Sequence, residues 1–280
     1  MNSNLQKTAA IILLFLTAGI PGLFGFSYTS NIDWYTGYIT VDMEVPLTGR
    51  IVPSARADGE AEINRRIAGI VLNEIKPIFV DSSRTVESIL HQDPGILPQI
   101  GDLTKTLHRE HTYLSRDLST LHARYVIPFF PDLVDIFVTH TQPYTPDKPL
   151  AFVPSASFSG LVIYVDQVLP LYGKHQSGGL HPALLPTIYD EDMNVVIEAA
   201  MVDPEVISRR GMVLYTPDPA DRNITARAGQ SPLYTVATGI FGKKNTDIII
   251  PNETARRLLG NRDNHDIIKN GNLVIIANLP

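Results

Sequence analysis

Trp34-Tyr35-Thr36-Gly37-Tyr38-Ile39-Thr40-Val41-Asp42-Met43-Glu44-Val45 is followed, after a polar stretch, by Ile63, Ile67, Ile70, Val71 and Ile75. The first segment alternates loosely between apolar and polar side chains and is rich in β-formers, so it predicts a strand. The second set recurs at helical period and forms one apolar stripe. Asp58 is the expected N-cap, Glu60 and Glu62 suit the positive end of the helix dipole, and Lys76-Pro77 closes the helix. A strand feeding an amphipathic helix sets the class of the first half: α+β.

Upstream, Lys7 is the only charged side chain before Asp33, and an apolar run from Ala9 to Ile20 follows it. A basic flank, a short apolar core and small residues beyond it make the pattern of a secretory signal. As a helix the run rises only ~18 Å, short of the ~30 Å of a bilayer core. Residues 1–27 are therefore expected to be a signal peptide, with cleavage after Ser27 preferred over Gly25. The alternative is an uncleaved anchor, the one route by which membrane association is expected. Either reading places the body of the protein outside the cytoplasm, in the periplasm or associated with the outer envelope.

Downstream, Ile78-Phe79-Val80 predicts a short strand, Ser82 to Leu90 a short helix, and Asp93-Pro94-Gly95 a turn. Residues 99–128 support two readings. Ile100, Leu107, Leu114 and Leu121 lie seven apart, as on a long helix. Against that, the β-formers between Thr120 and Phe130 favour a helix to about His108 and then a hairpin turning near Ser115-Arg116-Asp117. The hairpin is preferred. Gln142 to Pro149 holds three prolines and is the expected linker. The expected division is 1–27 signal, 28–142 an N-terminal α+β domain and 150–280 a β-rich C-terminal domain.

The C-terminal half predicts strands at Phe158–Val165 and Leu185–Tyr189, a turn at Asp190-Glu191-Asp192, and a strand at Val195–Ile197. A helix at Pro204–Arg210 stops at Gly211 before a strand at Met212–Thr216. Leu233–Phe241 and Asp247–Pro251 predict two strands joined at Gly242-Lys243-Lys244-Asn245. Asn252 is the expected cap of a helix to Leu259, with Gly260 just past its end. A helix from Asn264 to Asn270 and a strand at Leu273–Ala277 complete the chain. The whole reads as a strand-helix region followed by a strand-rich region with short helices.

Composition narrows the function. The chain of 280 residues has 23 basic and 29 acidic side chains, a net charge of −6, and this acidic balance argues against a nucleic-acid binder, which needs a basic face. It has no cysteine, which excludes disulfides, thiolate metal sites and cysteine nucleophiles. His108, His111 and His122 lie close in sequence. The first two would share a helix face, but His108-Arg109-Glu110-His111 matches neither zinc-protease spacing, and a core histidine is the simpler reading of His111. Asp190-Glu191-Asp192-Met193-Asn194 begins like a calcium loop, yet Val195 replaces the glycine and Met201 the glutamate, so a polar turn is favoured. Gly239 to Lys244 lacks the first glycine and the hydroxyl residue of a phosphate loop. Ser27 lacks the second glycine of a nucleophile elbow. Asp132 and Asp135 carry no mark of a glycosidase pair. The doublets Arg65-Arg66, Arg209-Arg210 and Arg256-Arg257 read as solvated helix faces. No catalytic, cofactor or metal residue is assigned.

Three segments carry a resemblance: Ser159-Gly160-Leu161-Val162-Ile163-Tyr164-Val165, Leu185 to Asp192, and Thr246-Asp247-Ile248-Ile249-Ile250-Pro251-Asn252-Glu253. With Asp33 to Ile39 and the helix beyond Ala55-Arg56-Ala57, they resemble envelope proteins related to small outer-membrane lipoproteins, including flagellar proteins of the FlgP and FlgT type. The resemblance implies non-enzymatic assembly in the cell envelope, around the flagellum, with envelope or flagellar motor proteins as partners and self-association compatible. Lipoprotein relatives carry an acylated cysteine, which this chain does not. Two alternatives stand beside that expectation. One is an exported hydrolase or metal-dependent enzyme joining His111 or His122 to an acid from elsewhere. The other is a glycan- or peptidoglycan-binding module using Trp34, Tyr35 and Tyr38 as sugar platforms.

Overall fold

The computed structural model describes residues 25–48, 52–105, 107–145 and 155–279. The apolar run at 9–20 and the prolines at 146 and 149 lie outside the described residues. Among those described, no helix is long and apolar enough to cross a membrane.

The first half is an antiparallel sheet backed by helices. Strand β1 (Ser27–Asp33) and β2 (Tyr38–Pro46) form a hairpin, α1 spans Val52–Ile75, α2 Val86–Gln92 and α3 Leu97–Lys105, and β3 (His108–Leu114) and β4 (Thr120–Pro128) form a second hairpin. The sheet order is β1-β2-β4-β3. Successive strand side chains point to opposite faces. Ile39, Val41, Met43 and Val45 of β2 therefore point inward beside Leu121, Ala123, Tyr125 and Ile127 of β4, and all eight are buried. They meet the stripe Ile63, Ile67, Ile70, Val71 and Ile75 of α1, each contributing roughly 1.5–3 kcal/mol of burial. Ile100 and Leu103 of α3 join the same core. The long-helix reading of 99–128 fails because the hairpin satisfies its main-chain groups by pairing with β2.

Several expectations need correction here. Trp34–Gly37 is a turn, and the strand starts at Tyr38. The Asp33 carboxylate accepts the amides of Tyr35 at 2.9 Å and Thr36 at 3.2 Å, and Gly37 takes a φ of +74°. A short polar side chain and a glycine thus reverse the chain locally. Asp58 is not the N-cap, since α1 already runs from Val52 with Pro53 in its first turn, where a missing amide is harmless. Phe79 makes a single bridge to Thr85 in place of the strand at 78–80. The following helix starts only after Thr85, whose hydroxyl accepts the Ser88 amide at 3.2 Å while the Ser88 hydroxyl accepts the Thr85 amide at 2.9 Å.

The second half is built on two sheets. Its elements are β5 (Leu161–Tyr164), β6 (Leu169–Pro170), β7 (Ser177–Gly178), β8 (Ile188–Asp190), β9 (Val195–Ile197), α4 (Pro204–Arg210), β10 (Leu214–Thr216), α5 (Arg222–Ala228), β11 (Leu233–Val236), β12 (Gly239–Phe241), β13 (Asp247–Ile250), α6 (Asn252–Leu259), α7 (His265–Lys269) and β14 (Leu273–Ile276). One sheet, β10-β14-β5-β11, is parallel throughout. The other, β12-β13-β8-β9, pairs β13 with β8 in parallel and the rest antiparallel. The unbroken apolar runs Leu161-Val162-Ile163 and Leu273-Val274-Ile275-Ile276 suit strands covered on both faces. Leu161, Ile163, Leu273 and Ile275 enter the main core, while Val162, Val274 and Ile276 pack against Ile224 and Ala228 of α5.

Here too the sequence reading shifts. The strands expected at 158–165 and 185–189 shorten to Leu161–Tyr164 and Ile188–Asp190. Residues 233–241 are two strands in different sheets, separated at Ala237-Thr238. Helix α5 was not expected, although Asp221, which caps the amide of Asn223 at 2.9 Å, and Gly229 at its end both announce it. Pro251, not Asn252, occupies the N-cap of α6, and the Asn252 side chain instead accepts the Glu191 amide at 3.0 Å.

The two halves share one hydrophobic core. The amides of Leu184 and Leu185 donate to the carbonyls of Phe79 and Val80 at 3.0 and 2.8 Å. Trp34 packs edge-on to Phe129 at 4.9 Å and to Tyr215 at 6.1 Å between ring centroids.

Candidate functional site

The alternation that buries one face of the N-terminal sheet turns a polar set outward. Strand pairing arranges it in two rows across all four strands. Thr29, Asp42, Arg124 and His111 form one, and Ser27, Glu44, His122 and Tyr113 the next. A recess of about 270 Å³ lies over both rows.

The first row is held by the Arg124 guanidinium, which donates to both Asp42 oxygens at 2.6 and 3.0 Å. That fork-to-fork contact keeps Arg124 charged and pushes its pKa up. In the second row the Tyr113 and His122 rings stack 4.8 Å apart and 9° from parallel, and His122 Nδ1 lies 3.5 Å from a Glu44 oxygen. His111 tilts against the other side of this group, 5.6 Å from Tyr113. A β-bulge at Glu110 helps to set that arrangement, because it shifts the pairing between Arg109 and His111.

The fold thus brings His111 and His122 to one surface with carboxylates from a distant strand, and leaves His108 in the adjacent row opposite Val126. His111 and His108 sit on a strand, not a helix, and His111 is exposed rather than in the core. Among the described residues no three His, Asp or Glu side chains are grouped to hold a metal ion. Asp42, Glu44, Tyr113 and Arg124 were not singled out from sequence, although period-2 alternation through both hairpins marks them as outward-facing. Chemically the face offers a half-exposed aromatic platform, a fixed ion pair and a histidine beside a carboxylate, which suits hydrogen-bonding recognition.

Other motifs resolve into local structure. The Asp190 carboxylate is spent on the amides of Asp192 and Asn194 at 3.0 and 2.8 Å, and an Asp192 oxygen holds the Asn252 amide group at 3.0 Å, so the calcium-like loop is a tied hairpin turn. In the glycine-lysine stretch, Gly242 lies against Ser82 and Lys244 stands over the Phe79 ring at 5.6 Å. Arg65 and Arg66 both pair with Glu62. Arg210 is partly buried and donates to Asn272 at 2.8 Å, while Arg257 covers Phe158 at 5.2 Å. Asp135 accepts the Ser208 hydroxyl at 3.0 Å. Ser27 opens β1, with its hydroxyl 3.5 Å from Glu44.

A second region matters for what it closes. Open α/β sheets hold ligands beyond the carboxyl ends of their parallel strands. At that end of β14 the Tyr35 hydroxyl donates to the Ala277 carbonyl and accepts the Leu279 amide. A cavity between this turn and the start of β10, about 130 Å³ and lined by Trp34, Tyr35, Phe130, Arg210 and Tyr215 among others, falls below the ~300 Å³ of ordinary ligand pockets. Tyr215 is fully enclosed there, with its hydroxyl on the Ala183 carbonyl at 3.1 Å and its pKa driven up by burial. Trp34 and Tyr35 are packing residues of this junction rather than exposed sugar platforms.

Residues 25–136 match the family model described as Treponema pallidum Tp0624, N-terminal domain. Residues 160–278 match the model described as Treponema pallidum Tp0624, second domain. Both halves of the chain are similar to Tp0624. The first match covers the antiparallel sheet and its helices. The second covers the parallel sheet and its companion, so the order of the Tp0624 domains is kept. Neither Tp0624 description names FlgP, FlgT or a lipoprotein, and the family expectation narrows accordingly to Tp0624-type domains. No curated protein matches the chain at a significant level.

Proposed function

We propose that the protein is an exported, non-enzymatic component of the cell envelope that assembles or stabilises an envelope structure through protein contacts, with the flagellum as the structure its sequence resemblance favours. One observation carries this reading. The Tyr35 hydroxyl of the Trp34–Gly37 turn occupies the carboxyl end of β14, on the side of the parallel sheet where a substrate crevice would open, while the β11 edge and the polar outer face stay accessible. The apolar run at 9–20 supports location in the periplasm or at the outer envelope. The test is crosslinked affinity purification of the chromosomally tagged protein from envelopes, read by mass spectrometry. Enrichment of basal-body or periplasmic-ring proteins is the expected result. Recovery of the protein alone, or with metabolite-processing enzymes, would overturn it.

The outer face favours a second reading, a glycan or peptidoglycan contact centred on Tyr113. The hydrolase or metal-enzyme reading has less support, since among the described residues His122 lies near the Glu44 carboxylate without a group of three His, Asp or Glu side chains around it. Stoichiometric zinc that disappears in His111→Ala protein would restore it.

A further inference from the structure

The edge strand β11 combines features that the other apolar strands avoid. Among the described residues it pairs with β5 alone. The amides of Leu233 and Ala237 donate to the carbonyls of Gly160 and Tyr164, which points alternate main-chain groups, those of Tyr234 and Val236, away from the sheet. On the outer face α5 covers β14 and β5 but stops short of β11. Tyr234 and Val236 are consequently 56% and 53% exposed, with Tyr164 stacked on Tyr234 at 6.2 Å.

Proteins blunt free edges with charge, proline or bulges. Strand β3 carries Arg109, Glu110 and a bulge, β1 is polar, and β12 is bridged by Leu171. Within Leu233–Val236 strand β11 has none of these devices, the nearest proline being Pro232 just before it, and no charged side chain occurs from Gly229 to Gly242.

We infer that β11 is the interface of a homodimer, in which two copies pair antiparallel about a two-fold axis through Thr235. This deepens the assembly reading by naming one partner, and it rests on that reading only in taking β11 as an assembly edge. The register follows from the main chain. The outward groups belong to residues 234 and 236, and the register that engages both of them in each copy pairs Tyr234 with Val236 of the second copy, the two exchanging both hydrogen bonds. The axis makes the reciprocal pair identical. Each pair then joins an aromatic to a β-branched side chain on the same face, a favourable cross-strand combination. Charge selects the occupant. A two-fold edge sets every side chain near its own copy, so a charged strand would repel itself, whereas this neutral strand does not. A charged foreign strand would find no complementary partner on β11.

The experiment is sedimentation velocity on the full chain without its signal segment, over a concentration series, for wild type, Tyr234→Lys and Val236→Pro. The proline removes only an outward amide and leaves the β5 ladder intact. A wild-type dimer lost in both variants, with unchanged circular dichroism melts, is expected. Monomeric wild type, or a dimer that survives both changes, would overturn the inference. Because the chain has no cysteine, register has its own test under oxidation. A mixture of Tyr234→Cys and Val236→Cys chains should crosslink, since paired Cα atoms sit ~5.5 Å apart, while each variant alone should crosslink far less. Equal crosslinking in all samples would exclude this register and overturn the inference, which places the axis at Thr235. Recovery of envelope partners by a strictly monomeric protein would refute the dimer and leave the assembly reading standing. A dimer with no envelope partners would do the reverse.

Discussion

The Tyr35 hydroxyl donates to the carbonyl of Ala277 at 3.4 Å, a contact between residues 242 positions apart that ties the N-terminal turn to the end of the last strand. The same oxygen accepts the Leu279 amide at 2.8 Å. One phenol thereby serves two main-chain groups that the parallel sheet leaves unpaired at its carboxyl edge. Tyr35→Phe removes both bonds while keeping the ring. It should lower stability by roughly 1 kcal/mol in urea unfolding and raise amide exchange at Leu279. An unchanged midpoint with unchanged exchange would show that the turn does not hold this end of the sheet.

Gly211 is the second fastening point between the halves. It has a φ of +74°, and a Cβ placed there would lie 2.4 Å from the Phe130 ring. Gly211→Ala should destabilise by about 2–4 kcal/mol, combining a left-handed backbone penalty with overpacking. Adding Phe130→Ala should remove the steric share, so the double variant should lose less than the sum of the two single losses. Strict additivity would sink the contact as the cause.

Asp247 titrates in the direction set by its surroundings. It is fully buried, with one oxygen accepting the Thr187 amide at 3.1 Å, and the Thr246 and Ser82 hydroxyls beside the carboxylate only partly offset the cost of burying it. Burial, helped by the nearby Asp81 carboxylate, raises its pKa above the ordinary 3.8. The folded protein then holds this proton more tightly than the unfolded chain. Its stabilising contribution is complete below pH 3.8 and is lost as pH rises through the raised value. Relative to Asp247→Asn, wild type should therefore lose stability on going upward through that window, measured by urea midpoints at stepped pH. A constant difference between the two proteins would refute the shift.

The sugar reading of the outer face makes a separate demand. Tyr113 is 52% exposed and packs against the His111 and His122 rings of its own sheet surface, so Tyr113→Ala should leave stability within ~0.5 kcal/mol. If the face binds peptidoglycan, wild type should co-sediment with purified sacculi and the variant several-fold less. Equal retention of both would remove Tyr113 from any such contact.

Local signals made several elements readable in advance. The α1 stripe, the hairpin turning near Ser115-Arg116-Asp117, α4 from Pro204 to its stop at Gly211, and the last strand all follow from side-chain period and punctuation. Helix α5 was readable too, from Asp221 and Gly229, but its seven residues show too little periodicity to stand out. The outer face was half visible. His111 and His122 were conspicuous by residue type, whereas Glu44 and Asp42 acquire meaning only once β2 lies beside β4.

The sequence by itself determined which residues seek the core and where the chain turns, because period, glycine, proline and capping side chains act over a few residues. Tertiary structure alone decided that β10, β14, β5 and β11 run parallel, that residues 233–241 divide between two sheets, and that Tyr35 stops the end of β14. Those outcomes depend on pairings between strands as much as 112 residues apart, and short apolar strands look alike until packing selects their neighbours.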